Sequence, residues 1–177
     1  MSPAIQFGVT PVEPDVLLRL IEMQVQKVSP LKERAFLSLW DDKVLVANPK
    51  ATQFAAIRPN GFPLWQSIVT GSGFDVTGYN ASLTLSVFIQ HSSDIENQSI
   101  RAISDNVLGM VRVVSATMAS LQGFIPRDAN QNALVREYMR VSDGGWRMTN
   151  IDGKGGSWHR TSADFECKFT AKLPGIN

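Results

Sequence analysis

Residues 79–90 read YNASLTLSVFIQ. Tyr79, Ala81, Leu83, Leu85, Val87 and Ile89 share one face of an extended chain. Asn80, Ser82, Thr84, Ser86 and Gln90 share the other, with Phe88 as the exception. Alternation with period two predicts a strand that buries one side only. Residues 162–175, SADFECKFTAKLPG, repeat the pattern. Here Ala163, Phe165, Cys167, Phe169, Ala171 and Leu173 point one way, while Asp164, Glu166, Lys168, Thr170 and Lys172 point the other. One wet face is the signature of antiparallel pairing. Such a sheet must find a cover for its apolar side.

Two amphipathic segments can supply the cover. In EPDVLLRLIEMQVQKVSP, residues Val16, Leu17, Leu20, Ile21, Val25 and Val28 form one stripe. Pro14 suits a first-turn position, and Ser29-Pro30 ends the segment, because a residue before proline avoids the helical region. The second segment, SSDIENQSIRAISDNVLGMVRVVSATMASLQG, opens with a Ser93-x-x-Glu96 capping box and closes on Gly123 as a C-cap. Ile103, Val107, Met110, Val111, Val114, Met118 and Leu121 make a continuous apolar stripe along it. Shorter apolar runs at 36–40, 43–47 and 53–59 read as strands, as does 134–142. The glycine-rich stretch 60–78 reads as a long loop insertion. The sum is a single α+β domain over 1–177, in two layers. It has a mainly antiparallel sheet with one face covered by two amphipathic helices, in the order α-β-β-β-β-α-β-β.

The 177 residues carry a net charge of +1 and are 44% hydrophobic, which suits one folded domain and gives no sign of a polyanion binder. A single cysteine rules out an internal disulfide and thiolate-rich zinc sites. The N-terminus lacks the basic and apolar regions of a signal peptide, and no stretch is apolar for long enough to span a bilayer.

The segment NIDGKGGSWHRT, 150–161, holds the one run that resembles a phosphate loop. A P-loop needs G-x-x-x-x-G-K-[ST] between a strand and a helix. Here Gly155 follows Lys154, and a strand follows the run, so 152–156 reads as a turn between antiparallel strands. His91 and His159 are the only histidines, too few for a histidine-rich metal site, and both read as surface or turn residues. Cys167 sits between Phe165 and Phe169 on an apolar face, where it behaves as a core hydrophobe rather than a nucleophile. The stretch DANQN, 128–132, starts like a calcium loop but has Ala133 and Met139 where glycine and glutamate are required, so it reads as a turn. No catalytic, metal or cofactor set emerges, and the chain is read as a non-enzyme.

Phe62, Trp65, Trp146 and Trp158 all fall in glycine-rich connections, and aromatic side chains in long loops serve as interface anchors. With Arg58, Arg147 and Arg160 they form the expected interface set.

The helix PDVLLRLIEMQ, the long helix with its glycine cap, and the segments LVREYMRVSDGGW and SADFECKFTAKL around a glycine-rich loop carry a resemblance. In this order the chain resembles the tail terminator and tail completion proteins of tailed bacteriophages and their prophage relatives. The segment 60–78 is not matched by that pattern. The resemblance implies a structural virion protein of the tail and neck, assembled in the host bacterial cytoplasm. It would form a homo-oligomeric ring, hexameric in this family, on the head-proximal end of the tail tube. Its partners would be further copies of itself, the tail tube protein and a neck or connector protein, with transient non-specific DNA in the lumen and no membrane. A neck or head–tail adaptor, or a component of a contractile injection machine, shares the same features. A small α+β enzyme or ligand-binding domain would instead need a pocket under 60–78 with His91 beside it.

Overall fold

A computed structural model describes residues 10–28, 31–32, 34–39, 52–69, 75–90, 99–153 and 156–171. The elements are α1 (Pro14–Gln26), β1 (Ala35–Leu37), β2 (Gln53–Gly61), β3 (Leu64–Val69), β4 (Asp75–Gln90), α2 (Ile100–Leu121), β5 (Arg140–Gly153) and β6 (Gly156–Ala171). Six strands form one sheet in the order β1-β2-β4-β6-β5, with β3 also on β4. All pairings are antiparallel except β1 with β2. The expected fold class is observed, and the element order matches roughly: β3 falls in the expected loop, and the expected strand at 43–47 lies outside the described residues.

The centre of the sheet is the pair β4 and β6, in unbroken register from Thr77–Ala171 to Gln90–Trp158. Leu83, Leu85, Val87, Phe165, Cys167 and Phe169 all turn to one side and are buried. Both helices lie on that side. Leu17, Ile21 and Val25 of α1, and Val114, Met118 and Leu121 of α2, join the same core. Burying side chains of this size stabilises the fold by about 1.5–3 kcal/mol each. Polar latches fix the helices. Glu22 is buried in α1; its Oε1 accepts from the Leu37 amide, and its Oε2 accepts from Arg19. Gln26 donates to the Ala35 carbonyl, and Gln24 donates to the Ser120 carbonyl of α2. Gly123, at φ +79°, ends α2 as expected, and its amide donates to the Met139 carbonyl. The capping box at 93–96 and the run 43–47 lie outside the described residues.

Three expectations are corrected. The stretch 60–78 is not a loop insertion: β3 and the start of β4 pair from Leu64–Tyr79 to Val69–Asp75. There β3 continues the line of β2 past a register shift, so β2, β3 and β4 make one long hairpin. The strand expected at 134–142 begins only at Arg140 and runs on to Gly153. Val135 and Arg136 still touch β6: Val135 bridges Phe169, and the Arg136 amide donates a hydrogen bond to the Lys168 carbonyl. Finally, β6 starts at Gly156, so Trp158, His159 and Arg160 are strand residues rather than turn residues. The glycine-rich tip between Gly153 and Gly156 does join two antiparallel strands.

The exception at Phe88 now has a physical cause. Phe54, Ala56, Phe88 and Trp158 form a second buried cluster on the face away from the helices. Phe54 stacks on Phe88 with centroids 4.8 Å apart, and tilts against Trp158 at 5.5 Å.

Among the described residues of α2, those buried in this core lie in its last third. Met118 is buried, whereas Val107 is 48% exposed. Met118→Ala should therefore destabilise the domain by about 2–5 kcal/mol in urea unfolding of the monomer, and Val107→Ala by less than about 0.5 kcal/mol.

Candidate functional site

Cross-strand neighbours of a sheet share a face, and this collects the arginines singled out above. Arg58 of β2, Arg160 of β6 and Arg147 of β5 all stand on the helix-free side. A polar row crosses the sheet there. Arg58 donates to Thr84 Oγ1 at 3.5 Å, Thr84 donates to Asp164 Oδ1 at 2.6 Å, and Arg147 donates to Asp164 Oδ2 at 3.3 Å. Asn60 also donates to Thr84 Oγ1, at 2.9 Å. Arg160 donates to Ser86 Oγ, and its guanidinium lies 5.9 Å from the Phe88 ring centre.

A parallel row holds Glu166, which accepts from Asn80 at 3.2 Å and from Arg140 Nε at 2.9 Å. Lys168 pairs with Glu137 at 2.9 Å. The hydrogen bond from Asn80, then that from Arg140, hold the Glu166 carboxyl below its ordinary value. A groove of about 300 Å³ opens beside this row, lined by Ile125, Val135, Arg136, Glu137, Tyr138 and Arg140.

Strand β5 reaches this face because of a bulge. Val141 is opposite Phe165, but the next paired residue, Trp146, is opposite Ala163. The intervening 142–145 loop out, with Gly145 at φ +58°. The bulge resets the alternation so that Arg140 and Arg147 both face the polar side, while Trp146 and Met148 face the helix side.

The aromatic members of the expected set separate. Trp146 lies on β5, 46% exposed. Trp158 is 1% exposed inside the second cluster and offers no surface to a partner. Phe62 is half-buried, edge-on to Phe169 at 5.8 Å, and belongs to the main core. Trp65 lies in β3. The arginines and Trp146 therefore occupy opposite faces of one sheet, not one patch of loops.

The sequence placed Val107 and Val111 on the core stripe of the long helix and did not single out Leu108 or Met148; all four are exposed. Val107, Leu108 and Val111 of α2 are 48%, 52% and 41% exposed, and Met148 of β5 is 58% exposed. Their signal was the length of α2. Its 22 residues extend about 33 Å, whereas its buried residues among those described run only from Val114 to Leu121.

The groups with reactive chemistry are engaged structurally. Burial, and then the nearby Glu166 charge, push the Cys167 thiol up to about 12. His159 is buried within β6, not at the surface, with its ring nitrogens 3.2 Å from Asn150 Oδ1 and 3.0 Å from Thr161 Oγ1. Asp128 accepts from the side chain and amide of Asn132 and the amide of Asn130, which lower its pKa and close the 128–132 turn. Among the described residues, no three His, Cys, Asp or Glu side chains come together. His91 lies outside the described residues. Compared with known proteins, the chain matches no protein-family model. It matches no curated protein at a significant level either.

Two outcomes follow. A thiol reagent at pH 8 should leave Cys167 unmodified in the folded chain and label it fully in denaturant. Because the Glu166 pKa is depressed by folding, its contribution is complete above the ordinary value of 4.5 and is lost as the pH falls below it. Melting curves against pH should therefore show Glu166→Gln to be less stable than wild type at pH 7, with the difference shrinking in acid.

Proposed function

We propose that this chain is a structural subunit of a phage tail, which assembles as a ring on the end of the tail tube and stops its growth. The observation that carries the reading is the overrun of α2: Val107 and Val111 continue the apolar stripe of Val114, Met118 and Leu121 into solvent, with Leu108 exposed beside them. A chain that folds alone gains nothing from such a stripe, whereas a subunit buries it on assembly. The sequence resemblance, which rests on element order among other features, supplies the kind of assembly. The polar face suits a lumen that DNA crosses without being held. Its cations Arg58, Arg136, Arg140, Arg147, Arg160 and Lys168 are set among the carboxylates of Glu137, Asp164 and Glu166, so attraction to phosphate is weak and independent of sequence.

The test mixes the purified chain with the tail tube protein of the same phage genome, under conditions where tubes grow. Electron microscopy should show tubes capped at one end, and tube length should fall as the chain is added. Tubes that grow to the same length with bare ends would contradict the reading.

A further inference from the structure

The segment LVREYM, 134–139, lies where a strand was expected, yet β5 begins only after it. The chain holds to β6 on either side of a gap. Val135 bridges Phe169, the Arg136 amide donates to the Lys168 carbonyl, and Arg140 pairs with Glu166. Between these points residues 137–139 leave the ladder and arch away from β6. Met139 anchors the arch: its side chain is buried, its amide donates to the Phe124 carbonyl, and its carbonyl accepts from Gly123. This arch, its flanks and Ile125 line the groove of about 300 Å³. Tyr138 is 53% exposed, so the groove is reached from solvent.

The lining has two kinds of surface. Ile125 and Val135 are apolar and belong to the main core. The rest is rich in donors. Glu166 fixes Arg140 by taking its Nε and Nη2 at 2.9 and 2.8 Å. The remaining N–H groups of that guanidinium, and the Tyr138 hydroxyl, have no protein partner among the described residues. The same holds for the backbone amides of Glu137 and Tyr138. Arg136 adds a second guanidinium. Glu137, the one carboxylate of the lining, is engaged by Lys168 at 2.9 Å, which offsets its charge. A donor-rich lining of this sign selects an anionic ligand with several acceptor oxygens. The apolar residues select one whose charge sits at the end of a hydrocarbon group. Adjacent backbone amides beside a guanidinium are a recurrent means of capturing the terminal carboxylate of a peptide.

We propose that this groove binds the carboxyl end of a polypeptide chain whose last side chain is apolar. The carboxylate accepts from Arg140 and from the Tyr138 hydroxyl and amide, and the last side chain packs on Ile125 and Val135. The groove is at the small end of ligand sites, which limits the contact to about one or two residues and makes it weak and reversible. The site does not depend on the tail reading.

The experiment follows amide NMR spectra of the isotope-labelled full-length chain. It is titrated with the peptide acetyl-Ser-Ala-Leu ending in a free carboxylate, with the same peptide ending in an amide, and with isocaproate. The free-acid peptide should shift the resonances of Glu137, Tyr138 and Arg140 saturably. The peptide amide should bind about tenfold more weakly, because charge-assisted hydrogen bonds are lost. Arg140→Gln should weaken the free-acid peptide by about tenfold, and Tyr138→Phe by about threefold. Both variants are checked for wild-type melting, and Tyr138→Phe, on an exposed side chain, keeps the test valid if Arg140→Gln unfolds. No shift at 137–140 with the free-acid peptide overturns the site. Equal binding of the peptide acid and the peptide amide overturns recognition of the carboxylate. Isocaproate that binds as tightly as the peptide overturns the chain end and makes a free apolar acid the ligand.

Discussion

The long antiparallel ladder between β4 and β6 is the constraint on which the rest of the molecule depends. It fixes which side of every other strand faces the helices, because a slip of one residue would turn Leu83, Leu85, Phe165 and Phe169 to the wet face. Given that ladder, β2 and β3 must place Ala55 and Ile57 on the helix side, and Phe54 and Arg58 on the other. Strand β5 obeys the same rule only by looping out 142–145. The bulge is the point at which sequence and ladder are reconciled. It lets Val141 serve the core, Arg147 reach Asp164, and Trp146 remain outside.

The two faces that result are chemically unlike. On the helix side the core is closed by α1 and by the last turns of α2, and the reactive groups there, Cys167 and His159, are held in structural roles. On the far side, a small aromatic cluster merges into rows of hydrogen-bonded charge. Charges paired in this way add little stability individually at an exposed face. Their regularity keeps that side of the sheet wet and disfavours apolar association there. The exposed apolar side chains of β5, Trp146 and Met148, lie on the helix side instead.

Much of this was legible in the residues. Alternation at 79–90 and 162–171 marked the central strands, because each buries one face and exposes the other. The stripe of α1 and the glycine cap of α2 marked the helices for the same reason. The strand at 64–69 was hidden because Gly61 and Pro63 before it and Gly71 and Gly73 after it read as a loop, and the ladder with β4 makes it a strand. Trp158 and His159 were assigned to a turn from the glycine run beside them. Long-range pairing extends β6 through that position, and a second core that no local pattern announces buries the indole. Periodicity also showed which face of α2 is apolar. It carried no information on how much of that face its own core could cover, so Val107 and Val111 were read as core although they are exposed.

The account turns on whether this fold is completed by another subunit. Hydrogen exchange, followed by mass spectrometry at low and high protein concentration, addresses that directly. The account predicts that amides at 104–112 of α2 gain protection as concentration rises, while those at 114–121 stay unchanged. Exchange at 104–112 that is identical at every concentration would contradict it.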